Sequence, residues 1–438
     1  MASIAEVTLW GQRVGALAYA SDDRTATFEY APGWLDEHIE IAPLTLPAGP
    51  GKFQFPHLPV ETFKGLPGAF ADTLPDDFGN AVINAWLARQ GRSPLSFTAI
   101  DRLLYTGDRG IGALEYHPAF KHAVSRTQRL DLEALVSMAQ QVLDQRNRLQ
   151  ETLSPASDQD PAMAALFQVG TSAGGARPKA LIALNSDRSE VRSGQVPAPA
   201  GFEHYILKFD GVVEKASGSE VFGDPQGFGR MEYAYYRMAV AAGLRMSPCE
   251  LLLDGPRAHF VTRRFDRQGN HKLHYQSLCA LAHADYKRPG AFSYEELFDV
   301  GRRLRLPRED AIELYRRMVF NVVARNQDDH TKNTGFLLAG PKQPWRLAPA
   351  FDIAYSYKPD SPWVNAHQMS LNGKRDHFER ADLLAIADQL RGFRKEATRI
   401  IEEVTQAVSE WRLFARDAGV DPTFIAEIQR HLRLELTK

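Results

Sequence analysis

The chain has 438 residues, of which 44% are hydrophobic and 24% are charged, and its formal net charge is -2. Single hydrophobic cores seldom grow beyond about 250–300 residues, so this length predicts two or three structural units. A near-neutral charge argues against a chain that grips nucleic acid or an anionic membrane over its whole surface. The arginine pairs at 302–303 and 316–317 are interpreted as solvated helix faces.

Cysteine content and hydropathy indicate the compartment. Cys249 and Cys279 are the only cysteines, and their spacing matches no motif, so a reduced cytoplasm is expected rather than a disulfide framework. The first residues lack the charged and apolar regions of a signal peptide. No uninterrupted apolar run approaches the roughly 20 residues that cross a bilayer. We therefore expect a soluble cytoplasmic protein without a membrane partner.

Three short strands with glycine and proline punctuation are predicted near the start of the chain: Val7–Trp10, Arg13–Tyr19 and Ala26–Tyr30. A helix follows, with Asp76 or Asp77 at its amino-terminal cap and Gly91 at its end. Apolar residues at helical spacing predict a further helix over Leu132–Leu149, and the polar stretch Glu151–Asp160 predicts a loop. The first domain is expected to end between positions 124 and 160.

The middle of the chain changes character, with strands predicted at 167–184 and 204–209 on either side of a glycine-rich turn. A helix is predicted over Met231–Ala242, and the strands Cys249–Leu253 and His259–Arg264 flank an Asp-Gly turn. Helices dominate from position 276 onward. They include Arg308–Ala324, a helix opened by the capping box at Ser293–Glu296, and a last helix with Asp421 at its cap before Pro422.

Strands followed by helices is the order of a two-lobed kinase, although many α+β proteins share it. We expect an α+β fold with a small amino-terminal domain, β-rich and then helical, over residues 1–150. Residues 151–265 would form a region like the amino-terminal lobe of a kinase, with the glycine-rich loop. Residues 266–438 would form a helix-rich carboxy-terminal lobe.

The stretch NQDDHTKN, residues 326–333, carries the main chemical signal. It lies between a predicted helix and a short strand, Thr334–Leu338, where a simple loop needs only turn-forming residues. Phosphoryl transfer needs a carboxylate that accepts the proton of the acceptor hydroxyl and a nearby amide oxygen that holds magnesium. Asp328 and Asn333 have the separation of Asp and Asn in the kinase pattern H-R-D-x-x-x-x-N. Alone, this spacing occurs by chance in many chains.

Other positions supply the partners that this chemistry needs. Asp352, in LAPAFDI, stands where a kinase brings a second magnesium ligand; in isolation a turn aspartate is the better interpretation, and the upstream loop reverses that preference. Lys208 lies among apolar residues of a strand, where an ammonium group is costly without counter-charges. ATP phosphates and Glu232, near the start of the next helix, would supply them. The alternative is an edge-strand lysine that reaches solvent.

A glycine-rich turn, GTSAGGARPK over residues 170–179, lies between predicted strands and matches neither the P-loop pattern nor a clean G-x-G-x-x-G. The backbone N–H groups that can approach a phosphate closely are those of Gly174, Gly175 and Ala176. Lys179 and the hydroxyls of Thr171 and Ser172 favour phosphate binding over the alternative, a merely flexible loop.

Taken together, these stretches resemble the HipA family, the kinase toxins of bacterial type II toxin–antitoxin pairs. The resemblance runs through nearly the whole chain in the order GLPGAFADTLPDDFG, TSAGGARPKALIAL, HYILKFD, MEYAYYRMA, TRRFDR, NVVARNQDDHTKN, LAPAFDIAYS and MSLNGKRDHFERADLLAIA. Each piece alone is weak, and the order and spacing make the resemblance specific. Asp352 is not followed by glycine, and Asp328 is not preceded by His-Arg; both departures from ordinary protein kinases agree with the family.

The resemblance implies a role for most of these positions. It matches Asp328 to the catalytic aspartate, Asn333 and Asp352 to magnesium ligands, Lys208 to the ATP-phosphate lysine with Glu232 as its helix partner, and Lys179 to a second phosphate-contacting lysine. Ser172 matches the serine that the family autophosphorylates to silence itself, with the adjacent Thr171 as the alternative. The adenine would lie against Val261–Phe265. Asp329, where other members often have arginine, is left without a role.

The function that the resemblance implies is an ATP- and Mg²⁺-dependent serine/threonine protein kinase that arrests growth. The amino-terminal domain would help to bind a small helix-turn-helix antitoxin of the HipB kind, which alone would reach DNA. An aminoacyl-tRNA synthetase is the target class it suggests. Two alternatives stay open: a silent pseudokinase that binds the antitoxin and co-represses its operon, and a small-molecule kinase. The complete set of chemical residues disfavours the first, and the family-specific amino-terminal domain disfavours the second.

Overall fold

The computed structural model describes residues 4–19, 24–119, 129–145, 177–213 and 223–437. Most of the glycine-rich turn lies outside these ranges, including Thr171, Ser172, Gly174, Gly175 and Ala176. The chain divides into two units. The first comprises Met1–Ile41, Ala48–Gly229 and Cys249–Tyr275, and the second comprises Ala42–Pro47, Arg230–Pro248 and Gln276–Lys438. The three domain ranges expected from the sequence stay a prediction.

Two five-stranded antiparallel sheets organise the first unit. One has the order β4-β3-β2-β1-β5, with β1 Ile4–Leu9, β2 Gln12–Tyr19, β3 Ala26–Tyr30, β4 Lys52–Phe53 and β5 Leu114–His117. The other has the order β11-β12-β8-β6-β7, with β6 Lys179–Asn185, β7 Val191–Ser193, β8 Phe202–Lys208, β11 Cys249–Asp254 and β12 Arg257–Arg263. Short pairs join β9 Val212–Val213 to β10 Gly223–Asp224 and β13 Arg267–Gln268 to β14 His271–Lys272.

The helices of the first unit are α1 Pro32–Leu35, α2 Val60–Phe63, α3 Gly68–Ala71, α4 Asp77–Arg89, α5 Ala99–Thr106 and α6 Leu132–Gln145. The predicted cap of α4 is confirmed, because the Asp76 carboxylate accepts a hydrogen bond from the Gly79 N–H at 2.6 Å. Helices α4 and α6 cover one face of the second sheet, in a shared core formed by Phe78, Val82, Met138, Val142, Ile182, Leu207 and Val261. That sheet therefore has one face committed to apolar packing.

The second unit is mainly helical. Its helices are α7 Phe228–Ala241, which enters this unit at Arg230, then α8 Leu278–Ala282, α9 Tyr294–Arg303, α10 Arg308–Val323, α11 Arg380–Asp388, α12 Arg394–Ser409, α13 Trp411–Asp417 and α14 Pro422–His431. A small sheet has the order β15-β16-β17, with β15 His274–Ser277, which enters this unit at Gln276, β16 Gly335–Leu338 and β17 Trp345–Leu347. The predicted capping box at Ser293 and the Asp421 cap are confirmed.

The structure describes both cysteines and the apolar character of the helices. Cys249 and Cys279 are both buried and free, as the absence of a disulfide framework predicts. In the described ranges, no helix combines the length and the apolar character that a membrane span requires.

Candidate active site

The stretch 326–333 forms a loop that starts at the end of α10. Arg325 turns the chain out of the helix with a left-handed backbone, φ +56°. Asn326 then ties the loop back to the helix: its N–H donates to the Asn321 carbonyl at 3.0 Å, and its Nδ2 donates to Asn321 Oδ1 at 2.9 Å. The loop therefore has a fixed position relative to α10 before its charged residues begin.

Asp328 and Asn333 are brought together within this loop, as their spacing predicts. Asn333 Nδ2 donates to the backbone oxygen of Asp328 at 2.8 Å. Because its nitrogen is used in this way, its Oδ1 is the atom that can serve a cation. The Asp328 side chain is 46% exposed, and its Oδ1 lies 3.7 Å from His330 Nε2. The carboxylate is accessible to an acceptor hydroxyl while the backbone beneath it is braced.

A hairpin of β16 and β17 places Asn333 and Asp352 at one end of the small sheet. The strands are antiparallel, with Phe336 opposite Leu347, and the Ala348 N–H donates to the Gly335 carbonyl at 2.9 Å. Asn333 comes two residues before this last rung and Asp352 four residues after it, so the hairpin predicted from the sequence is confirmed. Asp352 has a left-handed backbone, φ +55°, which turns the chain sharply at the proposed ligand.

Asp310, buried in the first turn of α10, anchors the strand that leads to Asp352. Its Oδ2 accepts hydrogen bonds from the Leu347 N–H at 3.0 Å and from Arg346 Nε at 2.9 Å, and its Oδ1 accepts one from Arg245 at 2.6 Å. Burial raises the pKa of this carboxyl, but the hydrogen bonds from Arg346, Leu347 and Arg245 outweigh it and hold the pKa below its ordinary value. One helix thus carries the proposed catalytic loop, residues 326–333, at its end and fixes the second strand of the hairpin at its start.

Lys179 and Lys208 occupy the face of the second sheet opposite the apolar core. They pair directly across β6 and β8, and Phe260 of β12 is the next residue in the same row. Side chains alternate between faces along a strand, so Ile182 and Leu207 point to the core and the two lysines point away from it. Lys208 Nζ lies 5.7 Å from the centre of the Phe260 ring, a cation–π contact. Two buried ammonium groups side by side make a face suited to a polyanion.

Glu232 is buried in α7, in the second unit. The same helix is bonded to the end of α10, because the Tyr235 hydroxyl donates to the carbonyl of the C-cap residue Ala324 at 2.8 Å. Lys208 belongs to the first unit, so the ion pair between Lys208 and Glu232 stays a prediction.

Asp266 fixes the chain at the end of β12, next to Val261–Phe265, where the adenine is predicted to lie. Its buried carboxylate accepts hydrogen bonds from Arg264, from Arg267 and, at 2.7 Å, from the Gly112 N–H. Both arginines also donate to the Gly110 carbonyl, at 3.2 and 3.0 Å. Burial raises the pKa of Asp266, yet the two guanidinium groups lower it far below its ordinary value. The loop before β5 is thereby tied to the proposed nucleotide-binding region, a contact that the sequence analysis missed.

The end of the described chain braces the residues around the catalytic loop. The Arg433 N–H donates to the Val323 carbonyl at 2.9 Å, and Arg325 Nε donates to the His431 carbonyl at 2.8 Å. Tyr355, three residues after Asp352, bonds to His431 Nδ1 at 2.6 Å. This carboxy-terminal brace holds both sides of the proposed site.

The donor set fits ATP with magnesium. Mg²⁺ takes oxygen ligands and is usually held by one or two carboxylates together with substrate phosphates and water. The Asp352 carboxylate and Asn333 Oδ1 are ligands of this kind. Across the described ranges, three or more His, Cys, Asp or Glu side chains do not gather into a metal-binding group.

Known proteins resemble this chain in its amino-terminal and in its carboxy-terminal region. Residues 5–117 match the family model of the HipA N-terminal domain, and residues 171–411 match that of the HipA-like C-terminal domain. HipA of Shewanella oneidensis, solved in complex with HipB and operator DNA, is similar with a TM-score of 0.65 and 17% identity, over 99% of this chain and 96% of that one. The predicted α+β class is confirmed, with an amino-terminal sheet domain before a larger kinase-like domain.

Two further proteins show more limited similarity. Y4mE, a proposed kinase of Sinorhizobium fredii, is 29% identical over 199 residues, which is 40% of this chain and 44% of that protein. The alignment thus spans less than half of that relative. CtkA, a proinflammatory kinase of Helicobacter pylori, covers 54% of this chain and 89% of its own at 15% identity, with a TM-score of 0.36.

Proposed function

The chain belongs to the HipA family, and from that membership we propose that it is the toxin of a type II toxin–antitoxin pair and a serine/threonine protein kinase. In the proposed reaction, the acceptor hydroxyl oxygen forms a bond to the γ-phosphorus of ATP, the bond to the bridging oxygen breaks, and ADP leaves. The hydroxyl proton goes to an enzyme carboxylate. The protein would act in the cytoplasm, and the result would be growth arrest.

The observation that carries this proposal is the pairing of an accessible Asp328 carboxylate with the brace from Asn333. A base that orients a hydroxyl must be reachable yet held in place. Asp328 would accept the proton, and Asn333 and Asp352 would hold Mg²⁺. The bound metal would neutralise charge on the phosphates.

Lys179 and Lys208 would bind the phosphates, and Glu232 would orient Lys208. The proposed role of the two lysines is supported by their place in one row with Phe260, on the face of the sheet opposite the apolar core. An adenine bound at Val261–Phe265 would meet a backbone already fixed by Asp266. The loop with Gly174, Gly175 and Ala176 would cover the phosphates, and phosphorylation of Ser172 within it would switch the enzyme off.

The proposed partner is a HipB-like helix-turn-helix antitoxin. The Shewanella oneidensis relative was solved with HipB and operator DNA. A net charge of -2 suits a chain that reaches DNA through a partner rather than by itself. The proposed target is a protein serine or threonine, with an aminoacyl-tRNA synthetase as the class that the resemblance suggests.

The decisive experiment compares Asp328→Asn with Asp299→Asn, using the purified full chain, Mg²⁺ and γ-labelled ATP. Asp299 is a matched control, since its side chain is 52% exposed and it lies on α9. Loss of a general base lowers a rate by about 10²–10⁴-fold. We expect Asp328→Asn to lose self-labelling while Asp299→Asn keeps it. A wild-type chain that binds its antitoxin tightly but takes no label would instead support the pseudokinase.

A further inference from the structure

Asp329 lies beside the proposed base, yet the proposed mechanism leaves it without a part. We propose that Asp329 is a positioning residue whose carboxylate holds residues 367–368 against the catalytic loop. Because these residues end the stretch 353–368 that follows Asp352, called the segment below, Asp329 docks the segment at its far end. The kinetic consequence rests on the proposed function, whereas the docking itself does not.

Both carboxylate oxygens of Asp329 are used. Oδ2 accepts hydrogen bonds from the Tyr294 hydroxyl at 2.6 Å and from His367 Nδ1 at 2.8 Å, and Oδ1 accepts one from the Gln368 N–H at 2.7 Å. The donors come from two other parts of the chain, the first residue of α9 and residues 367–368 at the end of the segment. Hydrogen bonds to a charged acceptor are about twice as strong as neutral ones, so this carboxylate is a firm junction.

The junction is also sealed from water. The side chains of Asp329 and His367 are both fully buried, and a buried carboxylate is stable only with several donors. Burial raises the pKa of Asp329, but the charge and hydrogen bond of His367, together with Tyr294 and the Gln368 N–H, hold it below its ordinary value. The carboxylate therefore stays ionised at neutral pH.

Further hydrogen bonds extend the junction on both sides. Tyr294 also accepts from Asn321 Nδ2 at 3.1 Å, and Asn321 holds Asn326 at the start of the catalytic loop. On the segment, the Gly290 N–H donates to the Gln368 carbonyl at 2.7 Å, and Arg375 Nε donates to the His367 carbonyl at 2.7 Å. Asp329 connects the loop network to residues 367–368, and the Tyr294 N–H adds a second connection by donating to the Ser370 carbonyl at 2.9 Å.

This arrangement answers a requirement of phosphoryl transfer to proteins. In protein kinases, the segment after the metal-binding aspartate is commonly ordered by a new phosphate that pairs with arginine. Here the negative charge is on the proposed catalytic loop, and two of its three donors, His367 and Gln368, are on the segment. Since that segment leads away from the metal ligand, its position should set how well a protein acceptor binds and leave ATP binding nearly unchanged.

Hydrogen–deuterium exchange of the full chain tests the docking without reference to activity. The matched control is Asp382, which is 2% exposed and accepts from Lys374 Nζ at 2.8 Å and Asn372 Nδ2 at 2.7 Å. We expect Asp329→Asn to speed exchange of the Gln368 amide at least tenfold, and Asp382→Asn to leave that amide as protected as in the wild type. Equal protection of Gln368 in Asp329→Asn and wild type would overturn the proposal.

Two variants at His367 test the docking of residues 367–368 in case Asp329→Asn folds poorly. His367→Gln retains a donor to the carboxylate, whereas His367→Leu removes it. We expect rapid exchange at Gln368 only in His367→Leu. Equal exchange in the two variants would contradict a hydrogen-bonded junction.

Kinetics with ATP and myelin basic protein as the acceptor probe the consequence. Asp329→Asn should raise KM for the acceptor about tenfold and change KM for ATP less than twofold. A parallel rise in both values would overturn the positioning role. A wild-type chain that phosphorylates no acceptor would count against the proposed function, and the exchange experiment would still decide the docking.

Discussion

Lys179 and Lys208 stand directly opposite each other on neighbouring antiparallel strands, and each is only 6% exposed. Two buried ammonium groups in one row present positive charge to a polyanion bound over them. We predict that Lys208→Met weakens ATP binding by about 1.5–3 kcal/mol, or roughly 10- to 150-fold in Kd. Titration calorimetry of the full chain with ATP and Mg²⁺ measures the change.

The control for this prediction is Lys272→Met. Lys272 is a partly buried lysine of the first unit, and its Nζ lies 2.6 Å from Glu115 Oε1. Its loss removes an ion pair elsewhere in the unit and should leave the Kd for ATP unchanged. Equal weakening in both variants would mean that the lysines act through folding.

Asn333 has two tasks that substitutions can separate. Asn333→Ala removes the metal-binding oxygen and the brace on Asp328, so the Mg²⁺ concentration for half-maximal phosphotransfer should rise about tenfold. Asn333→Asp keeps an oxygen ligand but loses the donor, so its Mg²⁺ requirement should stay close to that of the wild type while kcat falls. Rates measured across a Mg²⁺ series check this. An unchanged requirement in Asn333→Ala would rule out the ligand role.

Asp266 should be among the most sensitive positions for stability. Asp266→Asn leaves Arg264 and Arg267 buried beside a neutral group, and breaking a buried ion pair costs about 3–5 kcal/mol. Glu250→Gln is the comparison, because the Arg188–Glu250 pair has a similar length of 2.8 Å at a partly exposed site. Exposed pairs contribute about 0–1 kcal/mol. Urea unfolding should show the large loss only for Asp266→Asn.

The burial of His274 predicts that the free energy of unfolding of the first unit depends on pH. It is fully buried, with Nε2 2.7 Å from the Ile41 carbonyl, and burial lowers its pKa from 6.5 to about 4. The contribution of neutral His274 to the free energy of unfolding is fully present above pH 6.5. It is lost as the pH falls toward 4, because His274 takes up a proton in the unfolded chain at a higher pH than in the folded one. The loss amounts to about 3 kcal/mol.

The measurement is urea unfolding at pH 7 and pH 4.5 for the wild type and His274→Gln. Glutamine can still donate to the Ile41 carbonyl but cannot titrate, so this variant should show a smaller fall in unfolding free energy. His271→Gln, at an exposed position, is the control. A fall in His274→Gln as large as in the wild type would contradict the assignment.

Local rules account for what the sequence predicted well. Asp76 and Ser293 cap their helices within three residues of themselves, and the signal for each is contained in that short window. Asp328 and Asn333 meet because they lie five positions apart in one loop. Lys208 was identified by the cost of a charge among apolar neighbours and Lys179 by its place at the end of the glycine-rich turn, and both are buried.

Contacts between distant positions could not be predicted in this way. Asp329 meets His367 across 38 positions and Asp266 meets Gly112 across 154, and no local pattern encodes such pairs. Tyr294 was read only as part of a helix start, although its hydroxyl belongs to the loop network. A signal did exist for Asp266, since a carboxylate between Arg264 and Arg267 is the composition of a buried charge cluster.

The carboxy-terminal brace has a consequence for how the protein is made. Val323 and Tyr355 receive their contacts from His431 and Arg433, which leave the ribosome long after the catalytic loop. A chain still being translated therefore contains the proposed catalytic and metal-binding residues before the brace that fixes them has been made. We predict that the proposed kinase activity requires this brace, so that a chain ending before position 431 takes no label from γ-labelled ATP.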